Sequence, residues 1–209
     1  MAIPTDSAPA QAESGNLRAL VASVREALRE AVRESTADGP ELRAARVAER
    51  LRPFLSAPAL LAPEQREGDP AGYRQHLLHA EPAEPAEHAE RADLDGSVGA
   101  FSVVALVWLP GQETPVHDHV AWCATGVYEG CEDERRFRPA GGALEVAGRR
   151  VNRAGDVSSL APPGDIHLVR NPGPGRAVSL HVYGADLGRL GTSVRRVYPP
   201  GALRDGGAP

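Results

Sequence analysis

The chain of 209 residues contains no lysine; all 23 of its basic residues are arginine. That excludes Schiff-base chemistry and phosphate loops built on a lysine side chain. Cysteine is scarce as well. Cys123 and Cys131 are too few for a disulfide framework, and their spacing matches no paired zinc knuckle. No apolar run approaches the roughly 18 residues that a membrane helix needs. Residues 1–13 are rich in Ala, Pro and Ser and lack the basic flank and apolar centre of a signal peptide. The net charge of −5 carries no basic excess of the kind that binds phosphate backbones. The expectation is a cytoplasmic chain with no nucleic-acid partner and no membrane partner.

What is present is an ordinary globular composition, 42% hydrophobic and 24% charged. The length suits one domain, or one domain with an appendage. Residues 1–15 read as a disordered tail. Ser14 or Asn16 could cap a helix in which Leu17, Leu20, Val21, Val24, Leu28 and Val32 recur at helical spacing, ending near Asp38-Gly39-Pro40. A second amphipathic helix over residues 41–51 carries Leu42, Ala45, Val47, Ala48 and Leu51. Pro53, Pro58 and Pro63 then break the pattern around a short third helix near residues 63–68. A DNA-reading helix pair would need a basic face, and here glutamates cancel most of the arginine charge. Residues 73–79 read as a short strand and residues 80–95 as a solvated Pro/Ala/Glu loop holding His88. His76 and His79 read as structural.

From Phe101 the pattern changes to short strands punctuated by Gly and Pro. They fall at residues 101–109, 114–120, 123–129, 135–138, 143–146, 149–151, 157–160, 166–169 and 177–183. Turn signals about every 8–12 residues argue for a β-sandwich or barrel. The expected organisation is a helical section over residues 16–95 packed on a barrel over 96–200, followed by a flexible tail over 201–209.

The chemistry concentrates in this second part. His117 and His119 lie two apart in an extended stretch, so both imidazoles point to one side. His167, entering a strand after the Pro-Gly turn at 162–164, can return a third imidazole to the same cavity. Three imidazoles make a metal site with positions left open for substrate or water. In 177–183, Ser179, His181 and Tyr183 share one strand face, and Val178, Leu180 and Val182 take the other. If the polar face points inward, its members must hydrogen-bond one another or each costs about 1–3 kcal/mol. A hydrolytic Ser/His pair is disfavoured, because the two side chains lie side by side and no orienting carboxylate is evident.

Gly111, five residues, His117-x-His119 and then Gly130 resemble the first motif of the cupin superfamily. Pro162-x-Gly164-x-x-His167-x-x-x-Asn171 resembles the second, with Gly155 one residue further out than usual. Where the first motif carries a glutamate ligand, this chain has Cys123. Three histidines without a carboxylate resemble the thiol dioxygenases, the cysteine dioxygenase family, over roughly residues 73–198. The resemblance implies a mainly β, jelly-roll-like cupin barrel preceded by N-terminal α-helices, with Fe(II) on His117, His119 and His167. It implies addition of both atoms of O2 to the sulfur of a small carboxylate-bearing thiol, cysteine or 3-mercaptopropionate, giving the sulfinate. A neutral ligand set leaves the ion its full charge for a thiolate.

The same resemblance matches Ser179, His181 and Tyr183 to the family's outer-sphere triad. The cysteine branch has an arginine two residues after a tyrosine, and here Tyr73-Arg74-Gln75 places Gln75 there. That is similar to the 3-mercaptopropionate branch, in which an arginine nearer the carboxyl terminus holds the carboxylate. Arg195 and Arg196 are the candidates, with Arg189 a third. Trp122 would wall the pocket or fill the core. Cys123 aligns with the cysteine that animal-type enzymes link to the triad tyrosine, so a crosslink to Tyr183 is one expectation and a plain buried thiol the other. The partners implied are the small thiol and O2, in a monomer or small homo-oligomer. A metal-binding cupin with other chemistry, or a small-molecule sensor, is the competing reading.

Overall fold

The computed structural model describes residues 14–34, 39–82 and 100–204. Most of the expected N-terminal tail, most of the Pro/Ala/Glu loop with His88, and the last five residues lie outside these. The fold is mainly β: two five-stranded antiparallel sheets form a jelly-roll-like barrel, with helices in front. The first sheet runs β1 (Arg74–Glu81), β2 (Phe101–Trp108), β9 (Ala177–Tyr183), β4 (Cys123–Glu129) and β7 (Val157–Leu160). The second runs β10 (Val194–Val197), β3 (His117–His119), β8 (His167–Arg170), β5 (Cys131–Ala140) and β6 (Ala143–Arg153).

The helices explain why β2 and β9 are so apolar. α1 (Gly15–Glu34) begins where Ser14 Oγ accepts the Leu17 N–H at 3.1 Å. α2 (Pro40–Leu51) has Pro40 in its first turn. Leu17, Leu20, Val21 and Val24 of α1 join Val47, Ala48 and Leu51 of α2 in one apolar cluster. Val103, Ala105 and Val107 of β2 complete it with Val178, Leu180 and Val182 of β9. Each such side chain, fully buried, contributes about 1.5–3 kcal/mol. Leu42 falls outside this stripe and is 45% exposed, so Ala44 takes the inward place expected of it. The roof over the outer face leaves the other face of β9, with Ser179, His181 and Tyr183, pointing into the barrel. Both faces of both central strands are therefore buried.

Some strand limits differ from the sequence expectation. The segments at 143–146 and 149–151 form the single strand β6, paired along β5 as a long hairpin. The stretch 114–120 contributes only three residues of strand, because the turns on either side are held by other contacts. β1 pairs with β2 over most of its length, so the first sheet starts at Arg74, ahead of the boundary at residue 96. Residues 201–204, expected as tail, include a short 3-10 turn, and Leu203 bridges to Leu144. Gly130 makes the β4–β5 turn at φ 76°, where a Cβ would come within 2.8 Å of the Arg176 carbonyl oxygen.

Candidate metal centre

His117 and His119 occupy both ends of β3, and β8 sets His167 directly opposite His117 in the antiparallel register. All three side chains are buried, and one ring nitrogen from each lies within 4.8 Å of the others. The Nε2 atoms of His117 and His119 are 3.2 Å apart. Two nitrogens each about 2.0–2.1 Å from one ion, in cis positions, lie about 3.0–3.4 Å apart. The geometry fits a shared metal.

The other ring nitrogens strengthen the fit. His117 Nδ1–H donates to the Pro115 carbonyl at 3.0 Å, His119 Nδ1–H to Asp165 at 3.2 Å, and His167 Nδ1–H to Glu134 at 3.1 Å. Every Nδ1 is therefore held as a donor, and every Nε2 lone pair is left for the common point. Asp165 also accepts the His119 backbone N–H at 2.7 Å. Burial alone would raise Glu134, but the His167 hydrogen bond, together with Arg136, brings it down to about 2. Arg136 binds the same carboxylate at 3.1 and 3.2 Å. Burial, then the neighbouring His167 and His119, holds His117 well below the usual histidine range, and burial likewise lowers His167. Both lowered imidazoles favour the neutral form that a metal ligand needs.

Facing them across the cavity is the polar side of β9. Ser179 Oγ lies 2.9 Å from His181 Nε2, and the Tyr183 hydroxyl lies 3.2 Å from His181 Nδ1. Burial, then His167 and His119, takes His181 down to about 3. Burial pushes the Tyr183 phenol well up. The Tyr183 ring sits 5.7 Å, centroid to centroid, from His119. Cys123 is buried and paired in register with Tyr183, and its sulfur is 3.7 Å from His181 Nδ1. Burial raises this thiol well above its ordinary range.

Gln75 lines the cavity. The arginines expected near the substrate carboxylate have other partners here. Arg195 forks onto Asp118 at 2.8 and 3.3 Å, and Arg196 lies over the Tyr198 ring at 5.5 Å. In β10 it is Val194, beside His119, that lines the cavity. Asp118 points away from its two histidine neighbours because a strand alternates faces, and it draws Arg195 with it. Arg189 is exposed on the short α3 (Leu187–Leu190). Trp122 joins the apolar cluster under the helices, tight against Gly184, and fills core. Cys131 is half-buried away from these residues. His76 and His79 bond outside the site, to the Glu67 carbonyl and to Glu81.

Several residues in the site had no sequence signal of their own. Tyr73 stacks on Trp108 at 4.6 Å, and both line the cavity with Thr114, Thr192 and Ser193. Asp165 lay in plain sight two residues before His167. Glu134 and Glu132 sit in the acidic run Glu132-Asp133-Glu134, whose alternation aims both glutamates inward and Asp133 outward to Arg149.

Fold and site together give a two-sheet antiparallel barrel with a buried cluster of three histidines that could hold a metal ion. No known protein-family profile matches this chain. Among solved structures it is similar to a recombinant oxalate oxidase in complex with glycolate, at 19% identity and TM-score 0.41, covering 62% of this chain and 61% of that one. It is also similar to Peruvianin-I, described as a cysteine peptidase from Thevetia peruviana latex. That match has 19% identity, TM-score 0.39, and 62% and 77% coverage. A third is an oxalate decarboxylase from Bacillus subtilis, at 20% identity, TM-score 0.35, and 41% and 22% coverage. The chain thus spans about three-fifths of the length of the oxalate oxidase it matches. Each likeness is a partial overlap, and the chemistry has to be read from this chain's own residues.

Proposed function

We propose that the protein is an Fe(II)-dependent thiol dioxygenase that converts a small thiol to its sulfinate. The observation that carries this reading is one cavity with two different walls. One bears three buried imidazoles, each with Nδ1 tied to an acceptor; the other bears a buried Ser179–His181–Tyr183 chain. Fe(II) held by His117, His119 and His167 supplies a redox-active dication with open positions where a thiolate and O2 can meet. The protein's own groups do the rest. Tyr183, still protonated at neutral pH, offers a hydroxyl at the rim of that centre. Gln75 and Tyr73 sit where the rest of the substrate would lie, and burial keeps the Tyr73 phenol protonated by pushing it up to about 12. Both are neutral donors suited to a carboxylate oxygen.

No arginine is among the described residues lining the cavity. A substrate carboxylate is therefore held by neutral hydrogen bonds and by the charge of the ion, not by a guanidinium fork. Gln75 in place of the cysteine-branch arginine favours 3-mercaptopropionate over cysteine. The deciding experiment is oxygen uptake by iron-loaded protein with 3-mercaptopropionate, cysteine and their decarboxylated analogues, with sulfinate identified by mass. If no thiol consumes oxygen or yields sulfinate, the reading fails. The register pairing of Cys123 with Tyr183 allows a thioether between them, which would remove two hydrogens from the intact mass. Active enzyme without that deficit would establish Cys123 as a plain buried thiol.

A further inference from the structure

Thr114 stands just ahead of β3, 5% exposed, and lines the same cavity as the three histidines. Its backbone and its side chain both bind one residue of β8. The Thr114 N–H donates to the Val169 carbonyl at 2.9 Å, and the Val169 N–H donates to Thr114 Oγ1 at 3.0 Å. Two opposed residues of an antiparallel ladder make this exchange through backbone alone; here the side-chain oxygen completes it. A threonine hydroxyl has one proton to give and two lone pairs to offer. The Val169 N–H takes one lone pair and pins the oxygen, while the O–H has no acceptor among the described residues. Thr114 therefore brings a positioned, unspent donor to the cavity wall.

The strands also fix where that donor lies. Val169 is two residues past His167 on β8 and faces the same way, so Thr114 is held about 7 Å along the barrel from the level of that ligand. Val169 packs in one apolar cluster with Leu106, Trp108 and Ala177, and Tyr73 lies against it. Ala177 and Tyr183 are the two ends of β9, so Tyr183 borders the opposite end of the cavity. The Thr114 end has apolar walls of Leu106, Trp108 and Val169, with the hydroxyls of Thr114 and Tyr73 as its polar groups. No carboxylate or guanidinium is among the described residues that line the cavity.

We propose that the Thr114 hydroxyl is a specificity-determining donor to the substrate carboxylate, and that it selects a thiol whose carboxylate stands at the far end of a short apolar chain. This rests on the dioxygenase reading, which puts the sulfur on the metal at the histidines. A spacer of two methylene groups then carries the carboxylate towards Thr114 and lays its carbons against Leu106 and Val169. A hydrogen bond to a charged acceptor is the strong kind, and here it forms in a site shielded from water. An ammonium group beside the carboxylate, as in cysteine, finds no anionic side chain among the described lining residues to offset its desolvation.

The test uses Co(II)-loaded protein without oxygen, so that binding is read apart from turnover. Titrations with 3-mercaptopropionate and with propanethiol, which lacks the carboxylate, are followed by the sulfur-to-cobalt absorption band. Thr114→Val should weaken 3-mercaptopropionate about 10–100-fold, and propanethiol less than about two-fold, with cobalt content unchanged. Thr114→Ser keeps the hydroxyl and should restore the affinity for 3-mercaptopropionate. Thr114→Ala, which leaves room for a water on the Val169 N–H, decides the matter if Thr114→Val fails to fold. Equal weakening of both thiols, as a merely structural role would give, overturns the proposal, and so does unaltered binding of 3-mercaptopropionate. Wild-type protein that binds neither thiol at cobalt ends the dioxygenase reading and this assignment together. Wild-type protein that binds both, with no selective loss in the variants, ends this assignment alone.

Discussion

The two walls of the barrel each bury histidine, and the difference between them assigns the roles. On the second sheet, His117, His119 and His167 each give Nδ1–H to a carbonyl or carboxylate, which fixes the tautomer and leaves Nε2 basic and unshared. On the first sheet, His181 has both nitrogens against hydroxyls, Ser179 on one side and Tyr183 on the other. It has the same burial and the same chemistry but no spare lone pair. The lesson is that burial alone does not give a histidine its role; its second hydrogen bond decides whether it is a ligand or a link in a chain.

Removing a ligand tests this contrast most severely. His167→Ala should reduce metal content to background in elemental analysis, whereas His181→Gln should leave it near that of wild type. Metal retained in the first variant would take His167 out of the centre. Next in size is the acceptor behind a ligand. Glu134→Ala frees the His167 ring and should weaken metal binding about 10–100-fold in competition with a chelator. An unchanged affinity would mean that the tautomer is set in some other way.

The third prediction concerns acid. His181 is held at about 3 in the fold, against the ordinary 6.5 of an unfolded histidine. Between those values the unfolded chain binds the extra proton, so stability rises with pH across the window and is lost as pH falls. His117 and His167, also lowered, act in the same sense. Glu132, raised from 4.5 to about 7, works in the opposite sense over its own window, stabilising the fold more at the acid end. Three groups against one give a net loss in acid. The urea midpoint of metal-free protein should fall from about pH 6.5 to about pH 4.5, and less steeply in His181→Gln. Equal slopes would remove His181 from the account. The smallest effect belongs outside the walls. Arg195 is 46% exposed in its pair with Asp118, so Arg195→Ala should cost about 0–1 kcal/mol in unfolding and leave KM within about two-fold. A large rise in KM would return Arg195 to the substrate.

Much of the site was legible in sequence because it obeys a local rule. Strand alternation puts His117 with His119, and Ser179 with His181 and Tyr183, on common faces whatever the rest of the chain does. The helical stripe of α1 follows from the same kind of periodicity, and the cupin-like spacing tied His167 to the pair. The rule fails where a side chain's fate depends on a distant strand. Arg195 and Arg196 had the right charge for a carboxylate, and Trp122 the right neighbour for a pocket wall. Asp118 and the helix-covered core claimed two of them, and no spacing in the sequence encodes that competition. β6 ran through the Gly148 region as one strand because β5 pairs with it on both sides of a bulge there.

The sequence by itself therefore determined the members of each polar face, since a strand's period of two is a property of the backbone. Which face turns inward was decided by tertiary structure, because the apolar side chains of α1 and α2 cover one side of β2 and β9 and leave the polar side no place but the barrel. Tertiary structure also brought Glu134 to His167. Pairing of β5 with β8, and its approach to β9, joins residues tens of positions apart, and only burial turns such neighbours into partners that must satisfy one another.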